Sequence, residues 1–264
     1  MAKPDFIELG NGEHIPILYE DRSVLAIDKP AGWMLVPFSW QQTKRNLQAA
    51  IASSIAAGGF WARSRQLKFV HYVHRLDAET TGVLLFSKSK GAVDAFGSLF
   101  EDRRMEKTYL AVVDGVPTKS EWSCRAKLGP DPKQTGRMRV DQRSGKEAET
   151  FFKVLKAQGE RALISVRPVT GRTHQIRVHL LESGFPIVGD ELYGREKPIR
   201  SRGPSPPFPI GLRAVLLAFT NPFTKKRVRI QAPVEAFLKA FGFTPADAVE
   251  NRSATSEEVA KSAN

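Results

Sequence analysis

A polar segment, His74-Arg75-Leu76-Asp77-Ala78-Glu79-Thr80-Thr81-Gly82, is enclosed by two apolar runs, Leu67–Val73 and Val83–Phe86. Short apolar runs bounded by polar residues and glycine read as buried strands. The segment between them is therefore a loop leaving a sheet, a common place for chemistry. Asp77 stands in that loop beside Arg75 and His74. Taken alone, an Arg-x-Asp in a loop is an exposed pair of small energetic weight.

The chain on either side supplies strands broken by a few helices. Residues 1–16 carry little pattern and read as a lead-in. Ile17–Asp21 and Val24–Asp28 are two strand-like runs joined by a polar turn, and Asp28-Lys29-Pro30-Ala31-Gly32 closes the second with Pro and Gly turn chemistry. Leu47, Ala50, Ile51 and Ile55 recur at helical spacing within Asn46–Ala57, which Gly58-Gly59 ends. Trp61–Lys68 is a basic connection. Ala92, Phe96, Leu99 and Phe100 mark the buried stripe of an amphipathic helix, followed by a strand over Thr108–Val113. Tyr109 opens that strand, where a tyrosine is ordinarily half-buried packing. Residues 115–149 read as hairpin and loop on a basic face. Phe151–Leu155 and Arg161–Arg167 form a hairpin in which Ala162, Ile164 and Val166 alternate.

A second segment concentrates polar residues on one predicted helix: Thr170-Gly171-Arg172-Thr173-His174-Gln175-Ile176-Arg177-Val178-His179-Leu180-Leu181-Glu182-Ser183-Gly184. Thr173 is placed to cap a helix starting at His174, and Gly184 to end it. Arg177 on its first turn has the reach to hold a carboxylate from another loop in bidentate fashion. Arg195–Arg213, with five prolines, is a loop. Ala214–Phe219 and Arg227–Ile230 make a last strand pair, Val234–Phe241 a short helix, and residues 244–264 a polar tail expected to be disordered.

The chain carries 40 Lys plus Arg against 28 acids, a net charge of +12, which favours a polyanionic partner. A single cysteine, Cys124, excludes an intramolecular disulfide framework and suits a reducing cytoplasm. No run approaches a membrane span. The histidines at 71, 74, 174 and 179 lack zinc spacing and companion ligands, so no metal site is expected. Glycine fingerprints of P-loop and Rossmann nucleotide enzymes are missing.

Several segments together resemble the RluA-type pseudouridine synthases. His74-Arg75-Leu76-Asp77 through Gly82 is similar to the signature of that family, with Thr81 in place of the usual serine. Tyr19-Glu20-Asp21 through Gly32 resembles its first motif, although the family's following His-Pro is met here by Val36-Pro37. Gly171–Leu180, continuing to Gly184–Asp190, matches its Gly-Arg-Thr-His-Gln-Ile-Arg-x-His-Leu and Gly-x-Pro-Ile-x-Gly-Asp segments, and Lys107–Gly115 its tyrosine segment. The resemblance runs over roughly residues 17–241.

It implies an α+β catalytic domain over residues 17–243, built on a mixed, mainly antiparallel central sheet flanked by helices and loops. With about 16 residues ahead of the first motif, no S4 RNA-binding domain is expected before it. The implied reaction turns a uridine of rRNA or tRNA into pseudouridine: the N-glycosidic bond breaks, the base turns and a C–C bond forms. No cofactor is needed, because uracil is reattached through its own nucleophilic carbon. Asp77 is implied as the catalytic carboxylate, Arg177 as its ion-pair partner and Tyr109 as the ring stacked on the target base. Arg75 is implied in the space vacated by that base or on a phosphate, and Ile176 in the pocket wall. The expected protein is a cytoplasmic monomer acting on RNA; an RNA binder on the same scaffold that has lost catalysis is the alternative, disfavoured by the intact trio Asp77, Tyr109 and Arg177.

Overall fold

Alternation along the central strands sends neighbouring side chains into different cores, which is what a sheet covered on both faces requires. The computed structural model describes residues 2–35, 45–195 and 207–249. In chain order its elements begin with β1 (Phe6–Glu8), β2 (His14–Glu20), β3 (Val24–Lys29), α1 (Leu47–Ala56), α2 (Phe60–Arg63) and β4 (His71–Tyr72). Next come β5 (Thr81–Ser87), α3 (Lys90–Glu101), β6 (Glu106–Asp114), β7 (Glu121–Cys124), β8 (Leu128–Pro130) and β9 (Met138–Val140). The chain then forms β10 (Thr150–Gln158), β11 (Arg161–Pro168), α4 (Gln175–Glu182), β12 (Leu212–Thr220), β13 (Arg227–Gln231) and α5 (Glu235–Ala240). The main sheet runs β1-β2-β3-β5-β12-β6-β11-β10-β7, with β4 also on β5 and β13 also on β12. Among the named strands, β5 with β12 is the parallel pair and the rest are antiparallel. The mixed, mainly antiparallel α+β architecture expected above is the one observed.

Leu25, Ile27, Leu84 and Phe86 pack with α1 and α2, whereas Val24, Ala26, Val83 and Leu85 pack with α3. Farther along, Ala111, Ile164 and Val166 meet Ile176 and Leu180 of α4, while Leu110, Val112 and Leu163 meet α5. Tyr109 packs against both the α1 cluster and the α4 cluster, so it lies in the seam between them. Both long helices are capped at their N-termini: Asn46 accepts from the Ala49 N–H at 3.0 Å, and Ser89 from that of Ala92 at 3.2 Å.

Several elements differ from the sequence reading. The supposed lead-in contributes β1 and the first half of β2, with Ile7, Leu9 and Ile15 buried, so the sheet begins well before residue 17. Three apolar residues in a short strand and its turn are too few to show a period. The strand expected over Leu67–Val73 shrinks to β4, because the Gln48 side chain takes the Val70 carbonyl and the Tyr72 N–H that a neighbouring strand would have used. Trp61 and Ala62 are buried within α2 rather than in a basic connection. Residues 245–248 form a 3-10 turn on the α5 cluster, past the expected domain end at 243. The proline-rich stretch and the C-terminal tail lie largely outside the described residues, as does Val36-Pro37.

Gly82, the second residue of β5, has φ +110°, and a Cβ there would fall 2.0 Å from the Ala214 carbonyl oxygen. Only glycine lets β12 approach this closely.

Candidate active site

The loop carrying Asp77 is pinned from beneath by Lys29, which has no exposed surface. Its ammonium donates to the carbonyls of Pro30 (3.0 Å), Ala78 (2.9 Å) and Thr80 (3.0 Å), matching three donors with three acceptors. Burial lowers its pKa to about 7, against the opposing pull of Glu79 and Asp77. The Gly32 N–H adds a 2.8 Å bond to the Ala78 carbonyl. Asp77 is thus flanked on its C-terminal side by fixed backbone.

Arg177 reaches this loop from α4. The residue just ahead of the helix, His174, is left-handed (φ 54°), and residues 174–180 are all buried. The Thr173 cap expected from sequence is absent; its hydroxyl instead accepts from Arg75. Nor does the helix present an apolar and a polar face to core and solvent, because its polar residues find partners inside. Gln175 bonds Thr170, Arg172, Glu149 and Thr150, and His179 bridges Thr150 and the Ala126 carbonyl.

The bidentate partner of Arg177 is Asp190, with Nε and Nη2 donating at 2.7 and 2.8 Å. Its third nitrogen, Nη1, lies 3.3 Å from Asp77 Oδ2 and 3.6 Å from Glu79. The expected Asp77–Arg177 contact is therefore a single one, made by a guanidinium that another carboxylate holds. Burial opposes the Arg177 charge, but hydrogen bonds and charge from Asp190, then Asp77 and Glu79, more than offset this and raise its pKa. The Arg177 guanidinium also lies 5.1 Å from the centre of the Tyr193 ring.

A cleft of about 410 Å³ opens over Asp77. It brings together all five residues singled out in the sequence: Arg75, Asp77, Tyr109, Ile176 and Arg177. Arg75 is exposed, Ile176 is buried in the wall, and Arg177 is nearly inaccessible at its floor. Burial raises the Tyr109 pKa, and the Asp77 charge adds to this. Arg103, Lys107 and Arg172 also line the cleft. Lys107 donates to the Thr170 carbonyl at 3.2 Å, and burial lowers its pKa to about 8. His74 turns away from Asp77: its Nε2 accepts from the Leu85 N–H, and burial, then the Lys107 charge, push its pKa to about 3.

Asp190, Lys29, His174 and Tyr193 were not assigned roles from sequence. Asp190 ended a matched motif and Lys29 sat in a Pro-Gly turn, so both were visible as residues without a visible partner.

Residues 23–182 match the family model for RNA pseudouridylate synthase. The ribosomal large subunit pseudouridine synthase C of Escherichia coli K12 is 36% identical over 84% of this chain and 67% of its own length. The protein of that name from Buchnera aphidicola is 31% identical, over 85% and 69%. Among solved structures, human RNA pseudouridylate synthase domain containing 1 superposes with a TM-score of 0.64 at 26% identity, covering 83% of each chain. Fold, cleft and relatives together define an isomerase that acts on RNA. The chain belongs to the RNA pseudouridylate synthase family, and within it to the RluA type. No helix among the described residues is long and apolar enough to cross a membrane.

Proposed function

We propose that this RNA pseudouridine synthase modifies uridine in large-subunit ribosomal RNA, with Asp77 as its catalytic carboxylate. The observation that carries the reading is the Asp77 carboxylate, 3.3 Å from a buried guanidinium, facing a cleft also lined by Tyr109. The guanidinium pairs with the carboxylate and holds it toward the cleft. As N1–C1′ breaks and C5–C1′ forms, N1 gains a proton and C5 loses one, so atoms balance without a cofactor. Tyr109 stacks on the extruded base, Ile176 walls the pocket, and Arg75 fills the vacated stack or holds a phosphate. Arg103, Lys107 and Arg172 provide cations for the phosphates on either side.

The ribosomal target is supported by the names of the relatives, and RNA binding by the net charge of +12. A cytoplasmic monomer is the form proposed. A lone cysteine supports that compartment. The test is Asp77→Asn on an in vitro-transcribed large-subunit rRNA, read by pseudouridine mapping. Wild type should place pseudouridine and the variant none, with RNA affinity retained. Near-wild-type turnover in Asp77→Asn removes the carboxylate from the chemistry, and an rRNA left unmodified by wild type removes the target.

A further inference from the structure

His174 occupies a position that its local conformation alone does not favour. It is a non-glycine residue at φ 54°, buried to 8% exposure, immediately ahead of α4. Left-handed backbone costs a histidine on the order of 1 kcal/mol, so its side-chain contacts hold it there. Its Nδ1 lies 2.9 Å from the Tyr193 hydroxyl, and its Nε2 lies 4.0 Å from Asp77 Oδ1. Arg177 meets the other carboxylate oxygen, Oδ2, so the two oxygens of Asp77 face different groups.

The hydrogen-bond chain points to one tautomer of the imidazole. The Tyr193 hydroxyl oxygen accepts from the Met138 N–H at 2.8 Å. Tyr193 is 2% exposed, and its own proton has His174 Nδ1 as its acceptor among the described residues. Nδ1 is thereby the acceptor, and Nε2 bears the hydrogen of a neutral ring. Burial, the largest influence, lowers the His174 pKa; Asp77 pulls it up and Arg177 pushes it down, and the net is a lowered value.

We propose that His174 is a positioning residue whose Nε2–H, its tautomer fixed by Tyr193, orients Oδ1 of Asp77. The Arg177 guanidinium and this N–H hold the carboxylate from two sides and fix the direction of the lone pairs turned to substrate. At 4.0 Å the contact is longer than a hydrogen bond, and it shortens to one when RNA fills the cleft. The proposal rests on Asp77 being the catalytic carboxylate.

Two readouts test it on the full chain. In long-range proton–nitrogen spectra of protein labelled at its five histidines, the signal missing from His174→Gln identifies His174. It should report a neutral Nε2–H ring at neutral pH, and lose that fixed tautomer in Tyr193→Phe. An Nδ1–H ring or an imidazolium overturns the proposal, whatever the enzyme's activity. In single turnover on saturating large-subunit rRNA transcript, His174→Asn keeps a residue that tolerates left-handed backbone but withdraws the donor. Its rate should fall about 10²-fold with RNA affinity unchanged. His174→Gln, whose amide reaches the Nε2 position, should recover much of the loss. A near-wild-type rate in folded His174→Asn overturns the proposal. Retained turnover in Asp77→Asn overturns the catalytic reading beneath it, and the tautomer measurement tells the two failures apart.

Discussion

Replacing Asp190 with asparagine should destabilise the protein far more than so small a change in volume suggests. Asp190 accepts four N–H groups: two from Arg177 and those of Leu192 and Tyr193 at 3.0 and 3.1 Å. An asparagine that keeps Oδ1 in place turns its NH2 toward Arg177 Nε, so one bond becomes a donor facing a donor. The negative charge is lost as well. Breaking a buried ion pair costs about 3–5 kcal/mol. Arg177 retains Asp77 and Glu79, both partly exposed, which puts the loss near the lower end, at about 3 kcal/mol. For a chain of this size that is a fall in Tm of roughly 6–12 °C. Arg177→Met strands the Asp190 carboxylate, 1% exposed, and should cost more, about 5 kcal/mol. The double variant Arg177→Met/Asp190→Asn neutralises both members of the fork while Oδ1 can still accept the Leu192 and Tyr193 N–H groups, and it should lose clearly less than the sum of the two single losses while making no pseudouridine. Thermal and urea unfolding followed by circular dichroism measure all three. Single losses under 1 kcal/mol that simply add in the double variant would refute the reasoning, because the pair would then be screened.

Three further outcomes are expected. Gly82→Ala sets a Cβ 2.0 Å from the Ala214 carbonyl at φ +110° and should cost about 4 kcal/mol or more; near-wild-type unfolding would contradict the β5–β12 contact. Lys29 has a folded pKa of about 7 against an ordinary 10.5, so the unfolded chain binds the extra proton between those values and stability rises with pH there. Wild type should gain on Lys29→Met through that window by up to about 1.4 kcal/mol per pH unit, and a pH-independent difference between the two would argue against the buried ammonium. Tyr109→Phe should stay active if stacking is the whole role, while Tyr109→Ala should lose about 1–3 kcal/mol of base contact. Single-turnover rates on folded, RNA-saturated protein decide, and wild-type rates for both variants would take Tyr109 out of the site.

What was legible in the sequence was whatever a contiguous stretch encodes. The Asp77 loop announces itself because apolar residues stop and restart around it, and α1 and α3 because their apolar stripes are local. The Asp190 fork was not legible: it joins residues across a turn whose geometry no spacing rule describes. Thr173 looked like a cap because hydroxyls usually are, yet a histidine in left-handed backbone took the position and released Thr173 to Arg75. The Gln48 side chain that truncates β4 is likewise a long-range partner, for which local periodicity carries no signal.

Convergence of the site depends on a strand with no chemistry of its own. β12 lies between β5 and β6, and Ala214 pairs with Gly82 on one side and Tyr109 on the other. Two inter-strand steps separate Gly82 from Tyr109, about 10 Å, the span across which a base would lie between the Asp77 loop and the ring. Val166 of β11 pairs with Tyr109 in turn, and β11 leads into the loop that starts α4 and delivers Arg177. Asp77, Tyr109 and Arg177 are therefore registered against one another through the backbone of residues 212–214. That explains why Gly82 lacks a Cβ where β12 passes and why Ala214 is small. A larger residue at 214 would press into the α1 cluster, to which Ala214 belongs, or move β12. Moving β12 would alter the distance from carboxylate to ring without touching either.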